Sequence, residues 1–109
     1  MPYRAVYRYA RISPRKVRRV ADLIRGAYAD DAMDILRMQP HRGARMLEKV
    51  LKSALANAED LRAANLRSLR VVEVRVDEGP RMKRYRPLFR GMATIIKRRF
   101  SHIHVVLDY

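Results

Sequence analysis

Two runs of β-forming residues, 69–76 and 102–107, are separated by a stretch that cannot fold on its own, and this stretch constrains the chain most. Residues 77–99 are too many for an ordinary hairpin loop. Residues 81–99 hold eight cations and no acid, with scattered apolar residues: Met82, Tyr85, Leu88, Phe89, Met92, Ile95 and Ile96. An antiparallel arm turning near Gly91 would run about 12 residues each way, or about 40 Å at ~3.4 Å per residue. An isolated two-stranded ribbon is marginal in water, and its like charges repel. Such an arm makes sense where a partner completes it. The bland alternative, a solvated loop, conflicts with how seldom long structureless loops occur inside compact domains.

The remaining charge points to the same kind of partner. Of a formal net charge of +14, residues 1–25 carry +7, residues 26–78 carry none, and residues 79–109 carry +7. The middle therefore reads as an ordinary folded body with polyanion-facing ends. Self-repulsion at this charge is relieved by a polyanion. Nucleic acid is the common one, and binding it releases condensed counterions. An acidic membrane surface would call for one continuous amphipathic helix, but here the cations sit beside strands and Pro/Gly turns. No stretch approaches the ~20 apolar residues of a membrane span, and the first ten residues lack a signal peptide's apolar run. A soluble, cytoplasmic protein is expected. With no Cys, disulfides and Cys-based metal sites are excluded. The length suits one domain, residues 1–109, with 79–99 as its arm.

Residues 3–12 read as a strand. Ser13-Pro14 reads as a helix start, a capping hydroxyl followed by Pro at the first helical position. Val17, Val20, Ala21 and Ile24 form one apolar stripe, and Gly26 ends the helix in the left-handed conformation. A second helix begins at about Asp30 or Asp31, both explained as capping residues, and stops at Pro40. The third, residues 42–62, buries Leu47, Leu51, Ala54, Leu55 and Ala58. The expected fold class is α+β: three helices packed on a small three-stranded antiparallel sheet (3–12, 69–78, 101–108), with a long protruding β-hairpin.

Candidate RNA-binding residues fall in two groups: Arg4, Arg8, Arg11, Arg15, Lys16, Arg18 and Arg19, and, in the arm, Arg81, Lys83, Arg84, Arg86, Arg90, Lys97, Arg98 and Arg99. Arg suits phosphate through its planar fork. Arg15, Lys16, Arg18 and Arg19 lie early in a helix, where the macrodipole disfavours cations and a phosphate would offset that cost. Tyr85 and Phe89 fit base stacking or plain hydrophobic contact equally well. His102 and His104 share a strand face, but zinc needs a third ligand and His41 is the only other His, so no metal site is expected. No phosphate loop, nucleophile elbow or Cys/His pair is present, so no enzyme and no cofactor are expected. A free nucleic-acid binder, with helices one and two mimicking a helix-turn-helix, is the competing reading, but it leaves the arm without a role.

Taken in order, the residues resemble a known family, the bacterial-type ribosomal protein twenty-two of the large subunit. The match runs through Arg11-Ile12-Ser13-Pro14-Arg15-Lys16-Val17-Arg18, Ala21-Asp22-Leu23-Ile24-Arg25-Gly26, Glu48-Lys49-Val50-Leu51-Lys52-Ser53-Ala54 and Ala56-Asn57-Ala58-Glu59. It continues in Val76-Asp77-Glu78-Gly79-Pro80, Met82-Lys83-Arg84, Pro87, Gly91, Ala93, Lys97-Arg98 and Ser101-His102-Ile103. The resemblance implies a monomer within the ribosome, with an α+β body near the tunnel exit and a hairpin reaching through 23S rRNA. It implies a tip of Leu88, Phe89, Arg90, Gly91, Met92 and Ala93 in the wall of the nascent-peptide tunnel, early binding during subunit assembly, and an influence on macrolide sensitivity. The implied partners are 23S rRNA, neighbouring large-subunit proteins and the nascent polypeptide. Departures fall at the tip: where the family usually shows Pro-Arg-Ala-x-Gly-Arg-Ala, this chain has Pro87-Leu88-Phe89-Arg90-Gly91-Met92-Ala93. Arg98-Arg99-Phe100 likewise replaces a pattern that usually places Thr before Ser101.

Overall fold

The first strand, β1 (Tyr3–Ala10), alternates as a half-buried strand should: Tyr3 and Ala5 are buried while Arg4 and Val6 face out. Its far end breaks that rhythm. Tyr7 and Ala10 both turn toward the core, so one extra residue must be accommodated between them. A β-bulge results, and Tyr9 adopts φ +57° within it. In the computed structural model, the backbone is described for residues 2–87, 91 and 93–109, and side chains for residues 2–80, 91 and 99–109.

Helix α1 (Pro14–Ile24) buries Val17, Val20, Ala21 and Ile24, the stripe expected from sequence. Ser13 occupies the N-cap position, but its hydroxyl makes no capping bond. Its backbone carbonyl instead accepts from Lys16 N–H at 3.2 Å, and Pro14, lacking an N–H, leaves one orphan donor fewer. Gly26, at φ +79°, reverses the chain so that the connector lies along the outer edge of β2 (Arg70–Pro87). There Gly26 N–H donates to the Val71 carbonyl at 2.9 Å, and Val71 N–H donates to the Ala27 carbonyl at 2.8 Å. Ala29 N–H donates to the Leu69 carbonyl at 2.9 Å. The connector thus occupies part of an edge that would otherwise be open to pairing.

Helix α2 (Ala29–Met38) starts slightly earlier than expected, with Tyr28 at the N-cap. Asp30 and Asp31 therefore sit in the first turn and complement the helix dipole rather than capping it, which corrects the sequence reading. Its C-terminal carbonyls are gathered from outside: the Arg45 guanidinium donates to Leu36, Arg37 and Gln39. Helix α3 (Arg42–Asp60) supplies that Arg and buries Leu47, Val50, Leu51, Ala54 and Ala58. It ends two residues before the expected Arg62, which takes φ +56° while Ala63 N–H donates to the Ala58 carbonyl at 2.9 Å. This is a Schellman closure with Arg where Gly is usual.

The third strand, β3 (Ala93–Asp108), is the centre of the antiparallel sheet, whose order is β1-β3-β2. Helices α1 and α3 cover one face, and Ile103, Val105, Leu107, Val71, Val74 and Val76 meet them there. Ser101, fully buried, donates to the Ile12 carbonyl at 2.6 Å and ties β3 to the turn before α1. The architecture is thus the α+β fold expected, with β2 and β3 running on together beyond the body. Their pairing extends from Arg81↔Arg99 to Pro87↔Ala93, past a bulge between Glu78 and Arg81. Gly79 lies in that bulge, where a Cβ would come within 3.1 Å of the Phe100 backbone. The chain measures 65 × 25 × 16 Å, and its radius of gyration is 17.0 Å. A compact domain of this length would have about 13 Å.

Candidate nucleic-acid interface

The cations of the body fall into two populations. In the electrically neutral middle, three arginines are paired with acids. Arg37 lies 3.7 Å from Asp34 and 3.8 Å from Glu48, Arg45 lies 3.1 Å from Glu48, and Arg75 bridges Glu73 at 3.7 Å and Asp77 at 3.0 Å. Those from the N-terminal segment are not. Arg4, Arg8, Arg11, Arg15, Lys16 and Arg19 are all exposed, and none forms an ion pair among the described residues. The cause is in the sequence: the first acid of the chain is Asp22, and it pairs with Arg25.

Helix α1 divides this cluster by face. Its apolar stripe points into the core, so Arg15, Lys16, Arg18 and Arg19 project from the body. Arg18 differs from the rest. Its Nη2 and Nε donate to the Val76 carbonyl at 2.9 and 3.3 Å, and Arg25 reaches the Val74 carbonyl at 2.9 Å. These two arginines, two helical turns apart, satisfy alternate outward carbonyls of β2 and hold α1 against the sheet edge. Arg18 therefore has a structural role that sequence reasoning did not foresee.

Lys16 and Arg19 line a depression together with Ile12, His41, Arg42 and Gly43. It adjoins the first turn of α3, which has no acidic residue. Cations and helix N–H groups together suit a phosphate. Arg42 and His41 are additions to the sequence-derived set; their signal, a basic pair just after Pro40 at a helix start, is visible only once α1 and α3 are packed together.

On the open face of the sheet, His102 Nδ1 accepts from Tyr9 N–H at 3.1 Å, and His104 Nε2 lies 3.3 Å from the Asp77 carboxylate. Each imidazole thus has its own neighbour, and no group of three potential metal ligands exists among the described residues. No helix is long and apolar enough to cross a membrane.

Along the arm, Arg99 is exposed. The side chains of Arg81, Lys83, Arg84, Arg86, Lys97, Arg98, Tyr85 and Ala93, and residues Leu88, Phe89, Arg90 and Met92 altogether, lie outside the described residues. Gly91 has φ +74°, a conformation that a side chain would strain. The backbone register sets Arg81 opposite Arg99 and Lys83 opposite Lys97. Like charges directly opposed across a ladder destabilise it.

A sequence profile of the family described as ribosomal protein L22p/L17e matches residues 5–108. The chain is similar to large ribosomal subunit protein uL22 of Rhodopirellula baltica, 53% identical over 98% of this chain and 94% of the relative. It is also similar to the protein of that name from Rubrobacter xylanophilus, 58% identical over 92% of this chain and 79% of the relative. The uL22 of Thermoanaerobacter sp. (strain X514) is 50% identical over 98% and 96%.

Proposed function

This chain belongs to the ribosomal protein L22p/L17e family, a structural constituent of the large ribosomal subunit and not an enzyme, and on that premise we propose how it acts there. Its partners are ribosomal: rRNA and other ribosomal proteins. It binds 23S rRNA through two cationic surfaces, holds separate RNA segments together, and supports subunit assembly. The body contributes Arg4, Arg8, Arg11, Arg15, Lys16 and Arg19, with Arg42 and His41 completing a phosphate cradle. The arm, residues 79–99, contributes Arg81, Lys83, Arg84, Arg86, Arg90, Lys97, Arg98 and Arg99. Its tip, residues 88–93, lines the nascent-peptide tunnel and meets the growing chain.

One observation carries the reading: Arg4, Arg8, Arg11, Arg15, Lys16 and Arg19 stand exposed with no ion pair among the described residues, in a stretch with no acid before Asp22. Phosphates neutralise such a surface and fix its register on RNA. A free groove-reading protein fits less well, because α2 presents exposed Asp30, Asp31 and Asp34 to any phosphate backbone.

Sedimentation of a lysate containing the tagged full-length chain tests this. At about physiological salt the chain is expected to travel with the large subunit at one copy per particle. Recovery at the top of the gradient, or with DNA, would contradict it.

A further inference from the structure

Tyr9 is the one exposed aromatic residue of the described chain held in a left-handed backbone conformation. A non-glycine residue there is strained, and such a position persists only where its surroundings fix it. Here they do. Arg8 and Tyr9 together oppose a single residue of β3, His102, because Tyr7 pairs with Ile103 and Ala10 with Ser101. The Tyr9 N–H, turned by the bulge, donates to His102 Nδ1 at 3.1 Å. That bond requires an unprotonated Nδ1 and leaves the imidazole's other nitrogen to carry the proton. The two rings meet edge to face, with centroids 4.9 Å apart and planes at 86°. Tyr9 is nonetheless 61% exposed, so the bulge delivers a positioned aromatic residue to solvent rather than to the core.

Its charge environment says what such a ring would meet. Arg8 and Arg11 flank Tyr9 in the chain, no acid occurs before Asp22, and Arg99 is exposed three residues from His102 on the paired strand. We infer that Tyr9, braced by His102, is a stacking platform for an unpaired nucleobase of the RNA whose phosphates Arg8 and Arg11 contact. This rests on the rRNA-binding reading above and adds to it a base-contacting residue. A protein partner would more naturally bury the ring among apolar neighbours, whereas the exposed residues nearest Tyr9 in the chain, Arg8 and Arg11, are cationic. Base–aromatic stacking tolerates any base, so it gives a fixed contact without sequence readout.

The test uses the full chain and a 23S rRNA transcript, with affinity from filter binding and contact from ultraviolet crosslinking followed by mass spectrometry. Tyr9→Gly suits the bulge, since Gly accepts positive φ, and is expected to melt no earlier than the parent. It should bind roughly tenfold more weakly, while Tyr9→Phe binds as the parent does. The parent should yield an RNA adduct on Tyr9. Parental affinity for Tyr9→Gly, with no adduct on Tyr9, would overturn the platform. So would Tyr9→Phe binding as weakly as Tyr9→Gly, since the hydroxyl and not the ring would then be the contact. In both cases rRNA binding by the parent would leave the broader reading standing; no binding by the parent would remove both.

Discussion

Replacing Lys83, Arg84, Lys97 and Arg98 together by Gln is expected to weaken binding to 23S rRNA on the order of 100-fold at about physiological salt, without lowering the body's melting temperature. The salt dependence should fall with it. Each lost phosphate contact removes roughly one unit from the slope of log K against log salt, so a reduction of roughly three to four is anticipated. The register makes the experiment informative. Lys83 faces Lys97 across the ladder, so the substitutions remove a like-charge pair and do not destabilise the free arm. A loss of affinity would then report lost phosphate contacts rather than a collapsed hairpin. Filter binding across a salt series and a thermal melt followed by far-ultraviolet circular dichroism are sufficient. Unchanged affinity with an unchanged slope would remove the arm from the interface.

The reciprocal change lies in the body. Leu51 is fully buried on α3 and belongs to the single core that joins all three helices to the sheet. Leu51→Ala removes packing and leaves a cavity, at a cost of about 3 kcal/mol. For a domain of this size, that lowers the melting temperature on the order of 15 °C. The same variant, assayed below its melting temperature, should bind 23S rRNA with nearly parental affinity, because Leu51 lies far inside the surface that carries the cations. A melting temperature shifted by less than about 5 °C would mean that α3 is not held by this core. Together the two variants separate what stabilises the fold from what binds RNA.

Most of the body was legible in the sequence because its signals are periodic. The α1 stripe of Val17, Val20, Ala21 and Ile24 and the alternation of Ile103, Val105 and Leu107 each report a face, and both faces are buried. What was not legible depends on one element meeting another. Ser13 looks like a capping hydroxyl, yet makes no capping bond. The Arg45 guanidinium closes the C-terminus of α2 from the neighbouring helix, a contact that sequence spacing does not show. Arg18 reads as one more RNA-facing cation until packing brings it to the Val76 carbonyl. The Tyr9 bulge was hidden for a different reason. The apolar spacing shifts by one between Tyr7 and Ala10, but Tyr9 is itself aromatic, so residues 3–12 read as one uninterrupted strand. The two charge clusters, by contrast, were plain from composition alone, because the absence of acids near a cation is a property of the chain before it folds.

The most direct measurement is the affinity of the unmodified chain for a 23S rRNA transcript between about 50 and about 200 mM monovalent salt. If the cations of body and arm engage phosphates, log K should fall linearly with log salt, and affinity should drop by about a thousandfold or more across that range. An affinity that stayed level over the same interval would mean that charge does not hold this protein to RNA.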